Sequence, residues 1–187
     1  MRVFLAVELT DEVKDVVARG ISLFPRVKIL WRWVKRENLH ITLRFLGEID
    51  RGHLEGLVRA ASAVCSEFPA FDLELSSFGA FPDMRRPRVL FYKAAAGAVE
   101  LEELAGKLNR VFAAELGIPT DNRTFNPHVT VARVKHSIDR SLSAALKQIP
   151  DLEKARQIVR AAHLMRSELK RSGAEYNRVK EIVLRRV

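Results

Sequence analysis

With 187 residues and 48% hydrophobic side chains, the chain can build one packed core or two intimately packed halves. Its single cysteine, Cys65, excludes an internal disulfide, and no CxxC or Cys/His cluster points to structural zinc. The 32 Lys and Arg against 23 Asp and Glu leave a formal charge of +9, a bias toward polyanions that an ordinary solvated basic surface would equally produce. The amino terminus turns acidic at Glu8 before an apolar signal region is complete, and no run approaches membrane-spanning length. A soluble, cytoplasmic protein without a membrane partner is therefore expected.

The opening run at 3–7 is apolar throughout and predicts a strand buried on both faces. Thr10 is placed to cap a helix whose first turn carries Asp11 and Glu12, where the helix dipole favours acids. Val13, Val16, Val17 and Ile21 form its apolar stripe, and it ends before Pro25. A strand through His40 follows, closed as a turn by Gly47 and Glu48. Residues 51–67 return to helical spacing, with Leu54, Leu57, Val58, Ala61, Val64 and Cys65 on one face. Phe71, Leu73 and Leu75 then alternate with Asp72 and Glu74, as in a half-buried strand. Beyond a loop at 81–87, residues 89–92 predict another strand. Leu101, Leu104, Leu108, Val111 and Phe112 mark a long helix that Gly117 ends, with Pro119 behind it. A second His strand comes next, then a short helix around 141–148. Two closing strands, around 158–164 and 176–184, have Gly173 in the turn between them.

Sliding the chain by 88 residues lays the strand at 3–7 on 91–95 and the helix at 11–24 on 99–112. The halves share almost no identity outside their motifs, so the repeat rests on element order and spacing. No Pro/Gly/Ser-rich linker parts them. The expectation is one bilobal domain over 1–187 with an internal pseudo-twofold repeat. Its class is α+β, a duplicated fold of two mainly antiparallel sheets with flanking helices around a central cleft.

Two of the five histidines lie 88 residues apart in matching settings, His40-Ile41-Thr42-Leu43 and His128-Val129-Thr130-Val131. Residues two apart on a strand share a face, so each imidazole projects beside a hydroxyl while Ile41, Leu43, Val129 and Val131 face a core. A pseudo-twofold axis would bring both polar faces to one cleft. A free imidazole titrates near 6.5, so one histidine can accept a proton while the other donates one. Phosphodiester hydrolysis needs both: water is activated as it attacks phosphorus, and the departing oxygen is protonated. Thr42 and Thr130 are placed to donate to the non-bridging oxygens, and Arg133 is a further phosphate ligand. Arg133 lies five residues after His128, an odd offset that needs a bulge or a strand end to reach the same face.

A single His-x-Thr is most often a half-buried structural histidine in a strand; two copies at matching places reverse that reading. Two histidines without a third ligand at recognisable spacing make a poor metal site, so neither metal nor cofactor is expected. His53, His136 and His163 lack the threonine and are read as structural or solvated. Trp31 and Trp33 could stack a base beside Arg32, Lys35 and Arg36, but buried packing is the simpler role. Residues 85–88, Arg-Arg-Pro-Arg, are either a solvated charge run or a contact to RNA backbone.

With these motifs the chain resembles the 2H phosphoesterase superfamily. Within it, the chain is most similar to the bacterial and archaeal RNA 2′,3′-cyclic phosphodiesterases, historically called 2′-5′ RNA ligases. The similarity runs from Arg2-Val3-Phe4-Leu5-Ala6-Val7 through Glu37-Asn38-Leu39-His40-Ile41-Thr42-Leu43-Arg44-Phe45-Leu46-Gly47-Glu48 and Phe125-Asn126-Pro127-His128-Val129-Thr130-Val131-Ala132-Arg133. It ends on Leu164-Met165-Arg166-Ser167-Glu168-Leu169, Gly173 and Tyr176. The resemblance implies a bilobal fold with both motifs in its cleft. It also implies metal-independent hydrolysis of a terminal 2′,3′-cyclic phosphate to a 2′-phosphate. His40 would be the proton donor to the 3′ oxygen, and His128 the acceptor that activates water. The expected partner is RNA ending in a cyclic phosphate, tRNA fragments or small nucleotides among the candidates, with the protein a monomer. End joining to a 2′-5′ linkage and non-catalytic binding of RNA ends are the alternative functions.

Overall fold

The computed structural model describes residues 1–24, 31–134, 153–171 and 173–186. The opening run forms β1 (Arg2–Glu8), and Val3 through Val7 are each exposed by 2% or less, so both faces of the strand are covered. Thr10 Oγ1 accepts from Val13 N at 3.4 Å and starts α1 (Asp11–Ser22), which buries Val13 and Val17. β2 (Trp31–Trp33), β3 (His40–Glu48), α2 (Leu54–Glu67) and β4 (Phe71–Phe81) follow. Next come β5 (Val89–Ala94), α3 (Ala98–Leu116) and β6 (His128–Val134); Gly117, at φ 64°, ends α3 as its place in the sequence predicts. The last strands are β7 (Ala155–Val159), β8 (Ala161–Lys170) and β9 (Gly173–Val183). The helix expected at 141–148, and His136, lie outside the described residues.

Two segments differ from expectation. The run at 158–164 is not one strand: the chain leaves β7 at Val159, passes Arg160 and enters β8 at Ala161. β7 pairs with β4 and β8 with β1, so the chain passes from one half-sheet to the other there, and no Gly or Pro marks the passage. Gly47 and Glu48 do not close β3 as a turn. They pair with Val3 and Arg2, and the strand runs on past a register shift that leaves Leu46 unpaired.

The strands follow the order β7-β4-β5-β6-β3-β1-β8-β9, with β2 also on β6, and every named ladder is antiparallel. The two expected sheets are β7-β4-β5-β6 and β3-β1-β8-β9. They join through a single register pair, Ile41↔Val129, into one nine-stranded sheet. Beyond that pair β2 takes the place of β3 along β6, matching Trp31–Trp33 with Val134–Ala132.

The helices are exchanged between halves. α1 packs on β7 and approaches β5, where a Cβ on Gly20 would come 3.1 Å from the Tyr92 ring, whereas α3 packs on β3 and on α2. Leu101, Leu104 and Leu108 of α3 are fully buried, each worth about 1.5–3 kcal/mol against exposure. One apolar cluster runs from Val13 and Val17 through Tyr92 and Leu108 to Leu184. A smaller one, Phe4, Ala6 and Met165 with Tyr176 against it, lies on the other face of β1 and β8. Cys65 is buried, and burial pushes its thiol up to about 12. No described helix is long and apolar enough to cross a membrane.

Candidate active site

The seam between the half-sheets organises the site. Around Ile41↔Val129 an antiparallel register places His40 one step away beside Thr130, and Thr42 one step away beside His128. Ile41 and Val129 are fully buried on one face, so the two imidazoles and two hydroxyls emerge together on the other. All four line a cavity of about 620 Å³ together with Arg133. The structure thus brings together every site residue expected from the sequence.

Arg133 reaches the cavity through a bulge. Leu90 pairs with Ala132 but Phe91 pairs with Thr130, so Val131 is an extra residue in β6. Val131 and Ala132 are both fully buried, and the alternation resumes one residue late with Arg133 facing the cleft. β3 carries the matching bulge: Ala6 pairs with Thr42 but Leu5 with Arg44, leaving Leu43 extra. Phe45, five residues after His40, therefore stands where Arg133 stands in the other half, and it too lines the cavity.

Each imidazole is held by its own strand entry. Nδ1 of His40 donates to the Asn38 carbonyl at 2.7 Å, and Nδ1 of His128 to the Asn126 carbonyl at 2.6 Å. A carbonyl only accepts, so each Nδ1 carries the proton and each Nε2 of the neutral ring is an acceptor. Nε2 of His40 lies 3.0 Å from Thr42 Oγ1. Aromatic rings wall both: Phe4 and Tyr176 at 5.0 and 5.2 Å from His40, Phe81 and Phe91 each at 5.1 Å from His128. These carbonyl anchors were missed in the sequence, although Asn stands two residues before both histidines.

Burial is the largest influence on both imidazoles and lowers each from the ordinary 6.5. The carbonyl bonds oppose it. The leading charge at each ring differs in sign: Glu8 raises His40, with His128 and Lys14 opposing it less strongly, whereas Arg133 lowers His128. Register explains part of this, because Glu8 is the ladder partner of His40.

Arg44 is a cavity-lining residue that sequence reasoning left without a role. Its side chain is 9% exposed, lies 3.2 Å from Asp121 Oδ2 and donates to the Pro119 carbonyl, while its buried Nε has no partner among the described residues. Asp121 also holds the exposed Arg123. Trp31 is buried, and Trp33 packs edge-on against Phe24 at 5.7 Å, so the pair serves the core. Asp83 caps the arginine loop by accepting from the backbone of Arg85 and Arg86, leaving the side chains of Arg85, Arg86 and Arg88 exposed. His53 is exposed at the start of α2. His163 is 7% exposed in β8, its Nε2 3.6 Å from carboxylates of Glu8 and Glu181. Among the described residues, no group of three or more His, Cys, Asp or Glu is arranged to hold a metal ion.

The chain is similar to known phosphoesterases along its whole length. The LigT like Phosphoesterase family matches residues 7–91 and again 94–176, one His-x-Thr in each segment. The RNA 2′,3′-cyclic phosphodiesterase of Aquifex aeolicus is 30% identical over 97% of this chain and 94% of that protein. The protein of the same name from Thermus thermophilus is 31% identical, over 99% and 91%. The crystal structure of a Thermus thermophilus protein superposes with a TM-score of 0.83 at 30% identity, covering 99% of this chain and 98% of that one. Escherichia coli LigT complexed with 3′-AMP gives 0.78 at 27% identity, covering 98% and 97%. With a family match across most of its length and relatives of this identity and coverage, the chain belongs to the LigT-like phosphoesterase family.

Proposed function

We propose that this protein hydrolyses the terminal 2′,3′-cyclic phosphate of RNA to a 2′-phosphomonoester, by proton transfer between two histidines and without a metal ion. The observation that carries the reading is the pair of imidazoles with Nδ1 tied to backbone carbonyls and Nε2 turned to one shared cavity. The names of its relatives supply the substrate class.

In the proposed step His128 Nε2 takes a proton from water as its oxygen bonds to phosphorus. The bond from phosphorus to the 3′ oxygen breaks, and His40 Nε2–H delivers its proton to that oxygen. A 2′-phosphate and a free 3′-hydroxyl result. Glu8 beside His40 favours the protonated form, and Arg133 beside His128 favours the neutral one, which is why the donor is assigned to His40 and the acceptor to His128. Thr42, Thr130 and Arg133 hold the non-bridging oxygens, where negative charge accumulates. Both proton transfers are covered by side chains, so the step is written without a metal. The chain acts as one bilobal domain over 1–187, since each lobe supplies half of the pair. We take it to act as a monomer on RNA fragments such as cleaved tRNA.

The test is an oligoribonucleotide ending in a 2′,3′-cyclic phosphate, assayed in EDTA with the phosphate position of the product determined. Hydrolysis to the 2′-phosphate with a bell-shaped pH–rate profile is expected. His40→Ala and His128→Ala should each lose about 10²–10⁴-fold in kcat, and the double variant much less than the product of the two losses. Full activity in either single variant, or salt-sensitive binding without turnover, overturns the reading.

A further inference from the structure

A nucleic acid that ends in a cyclic phosphate continues in one direction only, so the next anion is the phosphodiester on its 5′ side. The cavity has two cationic ends, and they differ in how their charge is balanced. At one end Arg44 and Arg123 share the carboxylate of Asp121. At the other, Arg32 of β2 is the ladder partner of Arg133 of β6, and among the described residues neither guanidinium has an ion-pair or hydrogen-bond partner.

Ladder partners in an antiparallel pair project to the same face, with their Cβ atoms roughly 5 Å apart. Arg133 lines the cavity, so Arg32 stands beside it at the mouth. Two like charges directly opposite each other weaken a ladder. Arg19, Arg36 and Arg178, by contrast, each sit on a carboxylate. Arg32 also spans the mouth toward the other lobe, since a Cβ on Gly173, at the β8–β9 turn, would lie 3.6 Å from its Nη2. That turn is tied back to the segment that leads into β3 by Asn38 Nδ2, which donates to the Ala174 carbonyl at 2.8 Å.

We propose that Arg32, seated opposite Arg133, forms a second phosphate subsite that holds the phosphodiester immediately 5′ of the terminal nucleotide, and so selects oligonucleotides over cyclic mononucleotides. The subsite rests on the proposed function for its substrate but adds a residue and a specificity which that function does not require. Arg32 is a binding residue for the remote phosphate and takes no part in proton transfer.

The experiment compares three substrates: adenosine 2′,3′-cyclic phosphate, the dinucleotide ApA with a terminal 2′,3′-cyclic phosphate, and the same dinucleotide with a methylphosphonate linkage, which removes the charge. Arg32→Ala should raise KM for the phosphodiester dinucleotide roughly ten- to a hundredfold, the range of a lost charge-assisted contact, with kcat retained. KM for the methylphosphonate and the mononucleotide should move far less. The slope of log KM against log salt for the dinucleotide should fall by about one contact, and Arg32→Lys should recover part of the loss. A thermal melt no lower than wild type separates this from misfolding. Equal losses on all three substrates, or a wild-type enzyme indifferent to the methylphosphonate, overturns the subsite. Binding of 2′-phosphorylated ApA, with and without the charged linkage, reads the same discrimination without turnover. Failure of hydrolysis therefore sinks the proposed function, whereas failure of charge discrimination sinks the subsite.

Discussion

Replacing Asp121 by Asn tests the buried side of the site. Asp121 has two arginine partners of different worth. Arg123 contributes most to holding its carboxyl well below the ordinary range, but that guanidinium is 79% exposed. Ion pairs so open to solvent are worth about 0–1 kcal/mol. Arg44 is the opposite case, with a side chain 9% exposed and Asp121 as its carboxylate partner among the described residues. Breaking a fully buried pair by removing one partner costs about 3–5 kcal/mol. Asp121 is itself 24% exposed and the Pro119 carbonyl stays on Arg44, which places the expected loss nearer about 2–3 kcal/mol. For a chain of this length that corresponds to a fall of roughly 4–12 °C in Tm, at about 2–4 °C per kcal/mol. Arg123→Ala should cost less than about 1 kcal/mol. The sign with pH is fixed by the direction of the shift. A depressed folded-state pKa gives stability that is present above the unfolded carboxyl's value and is lost as pH falls through the folded one. The gap between wild type and Asp121→Asn should therefore be full at pH 7 and close progressively below about pH 4. Thermal melts across that range measure it. Equal losses for Asp121→Asn and Arg123→Ala, or a gap that widens in acid, would refute the assignment of the stabilising pair to Arg44.

Glu8→Gln should lower the pKa of His40, because the carboxylate that raises it is gone, and should leave His128 in place. The ring protons of the two histidines, followed by NMR titration, report this directly. The limb of the pH–rate profile that tracks His40 should move to lower pH with it, and movement of His40 to higher pH contradicts the electrostatic reading. Gly97→Ala tests the entry to α3: Gly97 has φ 80°, and a Cβ there would come 2.5 Å from the Asp72 carbonyl oxygen. Left-handed strain and a backbone clash together should cost roughly 2–4 kcal/mol in chemical denaturation; a loss within about 0.5 kcal/mol, as at an ordinary surface site, would show that the turn yields.

The strands bearing His40 and His128 were legible because period-two alternation is local: Ile41 and Val129 announce a buried face, and the polar residues beside them must emerge on the other. Arg133 shows where locality fails. Its offset called for a bulge, but two adjacent apolar residues, Val131 and Ala132, read as continuous strand whether or not one is extra. Only the partner strand reveals the slip. The crossing at Arg160 was hidden similarly, since both flanks are apolar and each satisfies a different half-sheet. Asn38 and Asn126 were visible as a repeated residue type, yet the atoms that orient the histidines are their backbone carbonyls, which any residue possesses. Glu8 lies far in sequence from the ring whose proton it favours, and register alone connects them.

Register also answers a difficulty that duplication creates. Two copies of one motif, each imidazole tied to a carbonyl and walled by two aromatic rings, arrive with matching chemistry, whereas acid–base catalysis needs one ring protonated and the other neutral. Burial cannot supply a difference of the required sign, because it lowers both and His40 is the more deeply buried. The difference has to come from charges that the repeat does not copy, and the ladder beside each histidine carries them. β1 sets an acid, Glu8, across from His40; on the bulged side, Phe45 occupies in one half the place that Arg133 takes in the other. Each departure favours a proton on His40 and its absence from His128. The direction of the proposed proton transfer thus follows from where the two halves fail to match, while the shared cavity follows from where they do.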